Sequence, residues 1–155
     1  MNSMMLPKVL VPIRSSNGDF YILEAAPSDL DWPELRALWQ VTGVARPLCF
    51  APPEDKIDLF FSYACQEAGV PISLGTVFNP GWTDMFFKTI AHDCLVLSSK
   101  LVPYLAEGRM FKDHLGQLKQ VVIVGDIAQD VEHSVIKLVA SGNCHRLSHP
   151  KHDLI

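Results

Sequence analysis

At 155 residues, with 48% hydrophobic against 19% charged residues, the chain has enough apolar material to build one core, which excludes wholesale disorder. The net charge of −4 gives no basic footprint for nucleic acid, and no apolar run approaches the ~18 residues of a membrane span, so neither nucleic-acid binding nor membrane insertion is expected. Met1 to Leu10 lacks the long apolar stretch of a secretory signal, and Cys49, Cys65, Cys94 and Cys144 lie far apart, three of them inside apolar runs, so buried thiols in a reducing cytoplasm are expected.

Val9 to Ile13 and Phe20 to Ala25 are β-rich runs separated by a segment containing Asn17-Gly18, which supplies positive φ at low cost and predicts a hairpin. Asp31-Trp32-Pro33-Glu34 then reads as a helix start, with Asp31 as cap, Pro33 in the first turn and Glu34 at capping-box spacing. The helix runs to about Gln40 with Leu35, Leu38 and Trp39 inward.

From Pro47 the pattern changes to short apolar runs alternating with amphipathic segments, as parallel strands and crossover helices require. The predicted strands are Leu48 to Phe50, Pro71 to Leu74, Cys94 to Ser98 and Val121 to Gly125, whose starts lie roughly 23 to 27 residues apart, room for one helix per crossover. Helical stripes are carried by Ile57, Phe60, Phe61 and Ala64 before Gly69; by Phe86, Phe87 and Ile90 after Thr83; and by Val131, Val135, Leu138 and Val139 before Gly142. Lys100 to Glu107 and Phe111 to Leu118 read as two helical pieces around Gly108. The polar tail from Cys144 is either loose or ends in a strand at Leu154-Ile155.

The expected architecture is therefore one α/β domain: a hairpin and short helix over residues 1–45, wound βα units forming a mainly parallel sheet with helices on its faces over 46–142, and a polar tail over 143–155.

Ligands of open parallel sheets bind beyond the carboxyl ends of strands, where helix N-termini present unpaired N–H groups. The residues at those ends that could hold a phosphate, carboxylate or hydroxyl are Ser98, Ser99, Lys100, Gly125 and Asp126, although Ser99 as the cap of the following helix, and Asp126 or Asp130 as the cap of the last one, is the first expectation. No glycine-rich phosphate loop accompanies them. His145, His149 and His152 with Cys144 form the densest group of metal-type ligands, but at a spacing that matches no closed zinc site, so no metal is expected. His92-Asp93-Cys94 sets a base, an acid and a thiol side by side, where neighbours rarely face one another, and Cys94 reads as core. Trp32, Trp39 and Trp82 offer either a contact surface or core packing, and Val9, Val11, Tyr21 and Leu23 offer a sheet edge for a partner strand.

Arg46-Pro-Leu-Cys-Phe-Ala-Pro-Pro, Glu67-Ala-Gly-Val-Pro71, Phe78-Asn-Pro80, Leu95-Val-Leu-Ser-Ser-Lys-Leu101 and Leu118-Lys-Gln-Val-Val-Ile-Val-Gly-Asp126 together resemble the N-terminal subdomain of the adenylate-forming superfamily, which includes acyl-CoA synthetases and acyl-AMP ligases, over about residues 30–126. Such enzymes carry a Ser/Thr/Gly-rich phosphate loop and later acidic and lysine motifs; the chain ends where that loop would begin, so none of the family's catalytic residues carries over. A second resemblance, over Leu6 to about Cys65, is to the N-terminal domain of type II secretion and type IV pilus ATPases. Leu6-Pro7, Val11-Pro12-Ile13, Ala25 to Asp29 and Thr42-Gly43 carry it, without the Arg-Leu-Gly motif that some members use for cyclic-di-GMP.

The resulting expectation is a non-catalytic interaction or regulatory module, an adenylation-subdomain-like protein acting with a partner chain or as a homo-oligomer, with no cofactor. The alternatives are an acyl- or nucleotide-binding domain or component of a split acyl-activating enzyme, a cytoplasmic docking domain of a bacterial secretion or pilus system, and a thiol enzyme using Cys94 or Cys144.

Overall fold

The computed structural model describes residues 9–14, 20–25, 27–52, 55–75, 91–102, 117–138 and 143–150. Strands β1 (Val9–Arg14) and β2 (Phe20–Ala25) pair antiparallel with Val9 opposite Ala25 and Arg14 opposite Phe20, the hairpin pairing that the two β-rich runs predict. They form their own two-stranded sheet.

A 3-10 turn at Pro27–Leu30 leads into α1 (Pro33–Thr42), which has Pro33 in its first turn and closes on Gly43 in the left-handed conformation (φ 67°), whose N–H donates to the Trp39 carbonyl. The expected capping box does not form. Trp32 occupies the cap position with no side-chain hydrogen bond, while the Asp31 carboxylate accepts from the Arg36 guanidinium at 2.7 Å. The nearby cation outcompetes the helix N–H groups for that carboxylate.

The main sheet contains β3 (Pro47–Phe50), β4 (Leu74–Gly75), β5 (Cys94–Ser98), β6 (Gln120–Val124) and β7 (Cys144–Leu147) in the order β4-β3-β5-β6-β7, every pairing parallel. The mixed α/β class and the parallel sheet agree with the reading of the sequence. Two strands differ from it. β4 begins at Leu74 rather than Pro71, since a proline has no N–H for the ladder. The segment read as a polar tail opens instead with β7, an edge strand whose residues are only partly buried. Edge strands need no continuous apolar run, so Cys-His-Arg-Leu gave little β signal.

β3, β5 and β6 are buried at every position, and alternate residues supply two different cores. Cys49, Cys94, Val96, Val122 and Val124 face α1 and α2 (Ile57–Ala68), meeting Leu35, Trp39, Phe60, Phe61 and Ala64. Leu48, Phe50, Leu95, Leu97, Val121 and Ile123 pack with Val102, Leu118 and Val135 of α3 (Gln129–Leu138). The helical stripe predicted before Gly69 is thus seen on one face of the sheet, and Val131 and Val135 of the stripe predicted before Gly142 on the other; Val139 and the side chain of Leu138 fall outside the described residues. Trp32 and Trp39 are core residues, whereas Trp82, the stripe of Phe86, Phe87 and Ile90, the pieces from Lys100 to Glu107 and Phe111 to Leu118, and Leu154-Ile155 fall wholly or largely outside the described residues.

At the amino edge of the sheet one carboxylate joins two strands. Asp93, just before β5, accepts from the N–H groups of Ala45 (2.7 Å) and Arg46 (2.8 Å) ahead of β3. Its own N–H donates to the Arg46 carbonyl at 3.1 Å, and its carbonyl accepts from Lys119 N–H, just before β6, at 2.8 Å. Asp93 therefore fixes where three neighbouring strands begin.

Candidate functional site

The parity of β5 determines what meets at the opposite, carboxyl edge. Ser98 lies on the same face as Cys94 and Val96, so its hydroxyl emerges toward α2 and toward the loop after β3. There it donates to Asp55 Oδ2 at 3.0 Å, while Lys100 Nζ sits 2.5 Å from Asp55 Oδ1. The Ser98 hydroxyl also accepts from Lys100 N–H at 3.3 Å, capping the 3-10 turn Ser99–Leu101. The cap is therefore Ser98 and not Ser99. A carboxylate with 11% of its side chain exposed is thus held by a buried hydroxyl and an exposed ammonium.

Gly125 ends β6 with φ +113°, a backbone conformation that side chains rarely adopt, and a Cβ added there would run into the Ser99 hydroxyl. Its N–H donates to the Leu147 carbonyl at 2.9 Å, which ties the end of β6 to that of β7. The five residues predicted from strand ends therefore stand at one end of the sheet. Ser98 and Lys100 converge on Asp55, Ser99 lies beside Gly125, and Asp126 is exposed.

Two residues that the sequence did not single out for this edge complete it. Asp55 follows β3 in a Pro-Pro-Glu-Asp-Lys run, and its position two residues ahead of α2 was the available signal. His149, read above as a possible metal ligand, instead brings Nε2 to 2.5 Å from the Asp55 carbonyl oxygen and Nδ1 to 2.9 Å from the Pro150 carbonyl oxygen, with its ring edge-on to Phe60 at 6.5 Å. The chain leaving β7 thus reaches back to the loop after β3. It also forms one wall of a cleft of about 580 Å³ whose other wall is Asp31, Trp32, Pro33 and Glu34 at the start of α1.

The remaining candidates do not assemble. His145 faces Asn143 while His149 faces Asp55, so the tail histidines are not brought to a common point; His152 lies outside the described residues, and no metal-ligand cluster occurs among those described. In His92-Asp93-Cys94 the carboxylate turns to the strand before β3 and the thiol points to Gln120 Oε1 at 3.6 Å, so no acid–base–thiol relay is formed.

Burial sets the thiol chemistry. It pushes Cys65 up to about 12 and holds Cys94 and Cys49 well above the ordinary thiol value; burial, with a smaller contribution from Glu132, pushes Cys144 up to about 11. Near neutral pH the four thiols are therefore expected to resist alkylation in the folded chain, with half-buried Cys144 reacting first and all four reacting together on denaturation. A time course with a thiol-specific chromogenic reagent checks this; one thiol reacting within seconds would restore the thiol-enzyme reading. Unfolded thiols ionise near 9.0 while the folded ones keep their protons, so stability should fall as pH rises from about 9 toward 12.

No protein-family model and no curated protein matches the chain. Solved structures do match. The N-terminal subdomain of NpsA from Klebsiella oxytoca, in complex with 3-hydroxyanthranilyl-AMSN, aligns with a TM-score of 0.59 at 13% identity, covering 90% of this chain and 36% of that one. ATP-bound MatB from Rhodopseudomonas palustris aligns at 0.58 and 9% identity, covering 89% and 28%. An ATP-bound RpMatB-BxBclM chimera aligns at 0.60 and 11% identity, covering 90% and 28%. The fold is thus that of N-terminal subdomains of adenylate-forming enzymes, as the resemblance read from the sequence implied, and the chain spans about a third of the length of these structures.

Proposed function

We propose that the chain is an acyl-activating-like module, non-catalytic by itself, that acts with a partner chain. The observation that carries this reading is the Asp55 carboxylate seated on Ser98 and Lys100. The two groups best placed to grip an anionic ligand at the carboxyl edge are already engaged by the chain's own side chain. The structural likeness supports the acyl-activating part of this reading, since 90% of this chain aligns with the N-terminal subdomain of NpsA.

The test is to purify the tagged chain from its native source, measure the mass of the resulting complex by light scattering, and crosslink it. The expected result is a mass above that of one chain, with crosslinks from lysines of this chain to a second polypeptide able to bind nucleotide. A single chain with no crosslinked partner would contradict it.

One observation favours a second reading, a small-molecule site at Ser98, Ser99, Lys100, Gly125 and Asp126. Groups that hold the Asp55 carboxylate are chemically suited to hold a ligand's carboxylate in its place. Asp55→Asn removes the internal competitor. Acyl carboxylates should then raise the melting temperature of the variant more than that of the parent, because ligands that bind only the native state stabilise it by mass action. Equal response of the two proteins would remove this reading.

A further inference from the structure

Successive residues of a strand turn their backbone groups to opposite sides, so the register of β7 determines what its outer edge offers. Val121 N–H donates to the Asn143 carbonyl at 3.0 Å and Gly125 N–H to the Leu147 carbonyl at 2.9 Å, with Val121 opposite Cys144 and Ile123 opposite Arg146. Asn143, His145 and Leu147 therefore direct their backbone groups at β6, while Cys144 and Arg146 direct theirs away from the sheet. Among the described residues no strand lies beyond β7, so two N–H and two C=O groups line its outer edge without a ladder partner. β4, the strand at the other edge, is two residues long.

The side chains at the same two positions share the face toward α3. Cys144 packs against the core on that side, and the Arg146 guanidinium lies 3.9 Å from Glu132 of α3, beyond hydrogen-bonding distance. Arg146 is exposed, and its fork of N–H groups makes no hydrogen bond among the described residues.

We infer that the outer edge of β7 is the docking surface for the partner chain and takes an extended acidic segment of it as a sixth strand of the sheet. This rests on the partner reading and deepens it. An added antiparallel strand makes backbone hydrogen bonds with Cys144 and Arg146, which supply affinity without regard to sequence. Selection comes from the side chains. A residue opposite Arg146 lies on the same face with its Cβ about 5 Å away, so a carboxylate there meets the guanidinium as a bidentate pair. Two residues further along the segment, the position opposite Cys144 is apolar, so the recognised pattern is acid-x-apolar. A second copy of this chain fits poorly. Two β7 strands pairing antiparallel about an axis at His145 set that residue against its own copy and bring two guanidinium groups to one face, and Cys-His-Arg-Leu holds no acid to meet them.

Residue-resolved amide hydrogen exchange on the free chain and on the complex recovered from its native source tests this. In the free chain the Cys144 and Arg146 amides should exchange at least about tenfold faster than those of His145 and Leu147, which are bonded to β6. In the complex the Cys144 and Arg146 amides should slow by about tenfold or more. Arg146→Glu, which keeps every backbone group and reverses the charge, should weaken partner binding by about tenfold or more, and Arg146→Lys by less. A complex in which those two amides exchange as in the free chain would overturn this inference and leave the partner reading standing. The same protection in a complex made only of copies of this chain would overturn the acidic segment as occupant. Recovery of no complex would remove the partner reading and this inference with it. Should Arg146→Glu fail to fold, wild-type exchange alone decides.

Discussion

Phe61→Ala is expected to cost about 3–5 kcal/mol, the largest loss from any single truncation considered. Phe61 is fully buried in the middle of α2, and its ring stands at 88° to that of Trp39 with centroids 5.7 Å apart, joining α2 to α1 over the sheet face formed by Cys49, Cys94 and Val96. Truncation removes the transfer energy of a benzyl group and leaves a cavity between two helices and a rigid parallel sheet, none of which can move in to fill it. The edge-to-face contact adds about 0.5–1.5 kcal/mol beyond the area buried. Thermal unfolding should register a fall of roughly 6–20 °C for a domain of this size. Phe61→Leu, which keeps most of the volume, should recover more than half of the loss. A shift below about 3 °C for Phe61→Ala would show that α1 and α2 do not share this core.

The second large effect belongs to the amino edge. Asp93→Ala removes two charge-assisted bonds to Ala45 and Arg46, and should cost about 2–3 kcal/mol. The Lys119 ammonium, 4.0 Å from the carboxylate and more than half exposed, contributes little to this figure. The backbone bonds of Asp93 to Arg46 and Lys119 survive the substitution, so the sheet should form with a frayed start to β3 rather than fail to assemble. Asp93→Asn keeps one acceptor oxygen and should lose about half as much. Denaturant melts of the two variants with an unchanged slope would locate the effect in the folded state.

Much of this fold could be read from residue order because buried parallel strands write themselves plainly. Leu48 to Phe50, Cys94 to Leu97 and Val121 to Val124 are continuous apolar runs, as a sheet covered on both faces demands, and α2 announces its end with Gly69, whereas α1 runs to Thr42, two residues beyond the expected Gln40, before Gly43 closes it. β7 was hidden because an edge strand packs partly against solvent and has no need of an apolar run. Asp31 looked like a helix cap because the local pattern cannot show that Arg36, one turn on, competes for its carboxylate.

The candidate site was legible by half. Ser98, Ser99, Lys100, Gly125 and Asp126 follow from the rule that strand ends gather function, and a chain-order reading locates strand ends well. What such a reading could not supply is which side chain crosses from another loop to meet them. Asp55 lies 43 residues from Ser98 and 45 from Lys100, and His149 lies 94 from Asp55. Only the sheet order β3-β5-β6-β7, with its parity, brings those separations to hydrogen-bonding distance.

The Asp55 carboxylate gives the proposed module its character, since it leaves Ser98 and Lys100 engaged from within the chain. The most direct measurement is carboxylate-dependent exchange of pyrophosphate into ATP, performed on the purified chain alone and on the complex recovered from its native source. A module that needs a partner chain predicts exchange by the complex and none above background by the chain alone; exchange by the isolated chain at the turnover of the complex would contradict it.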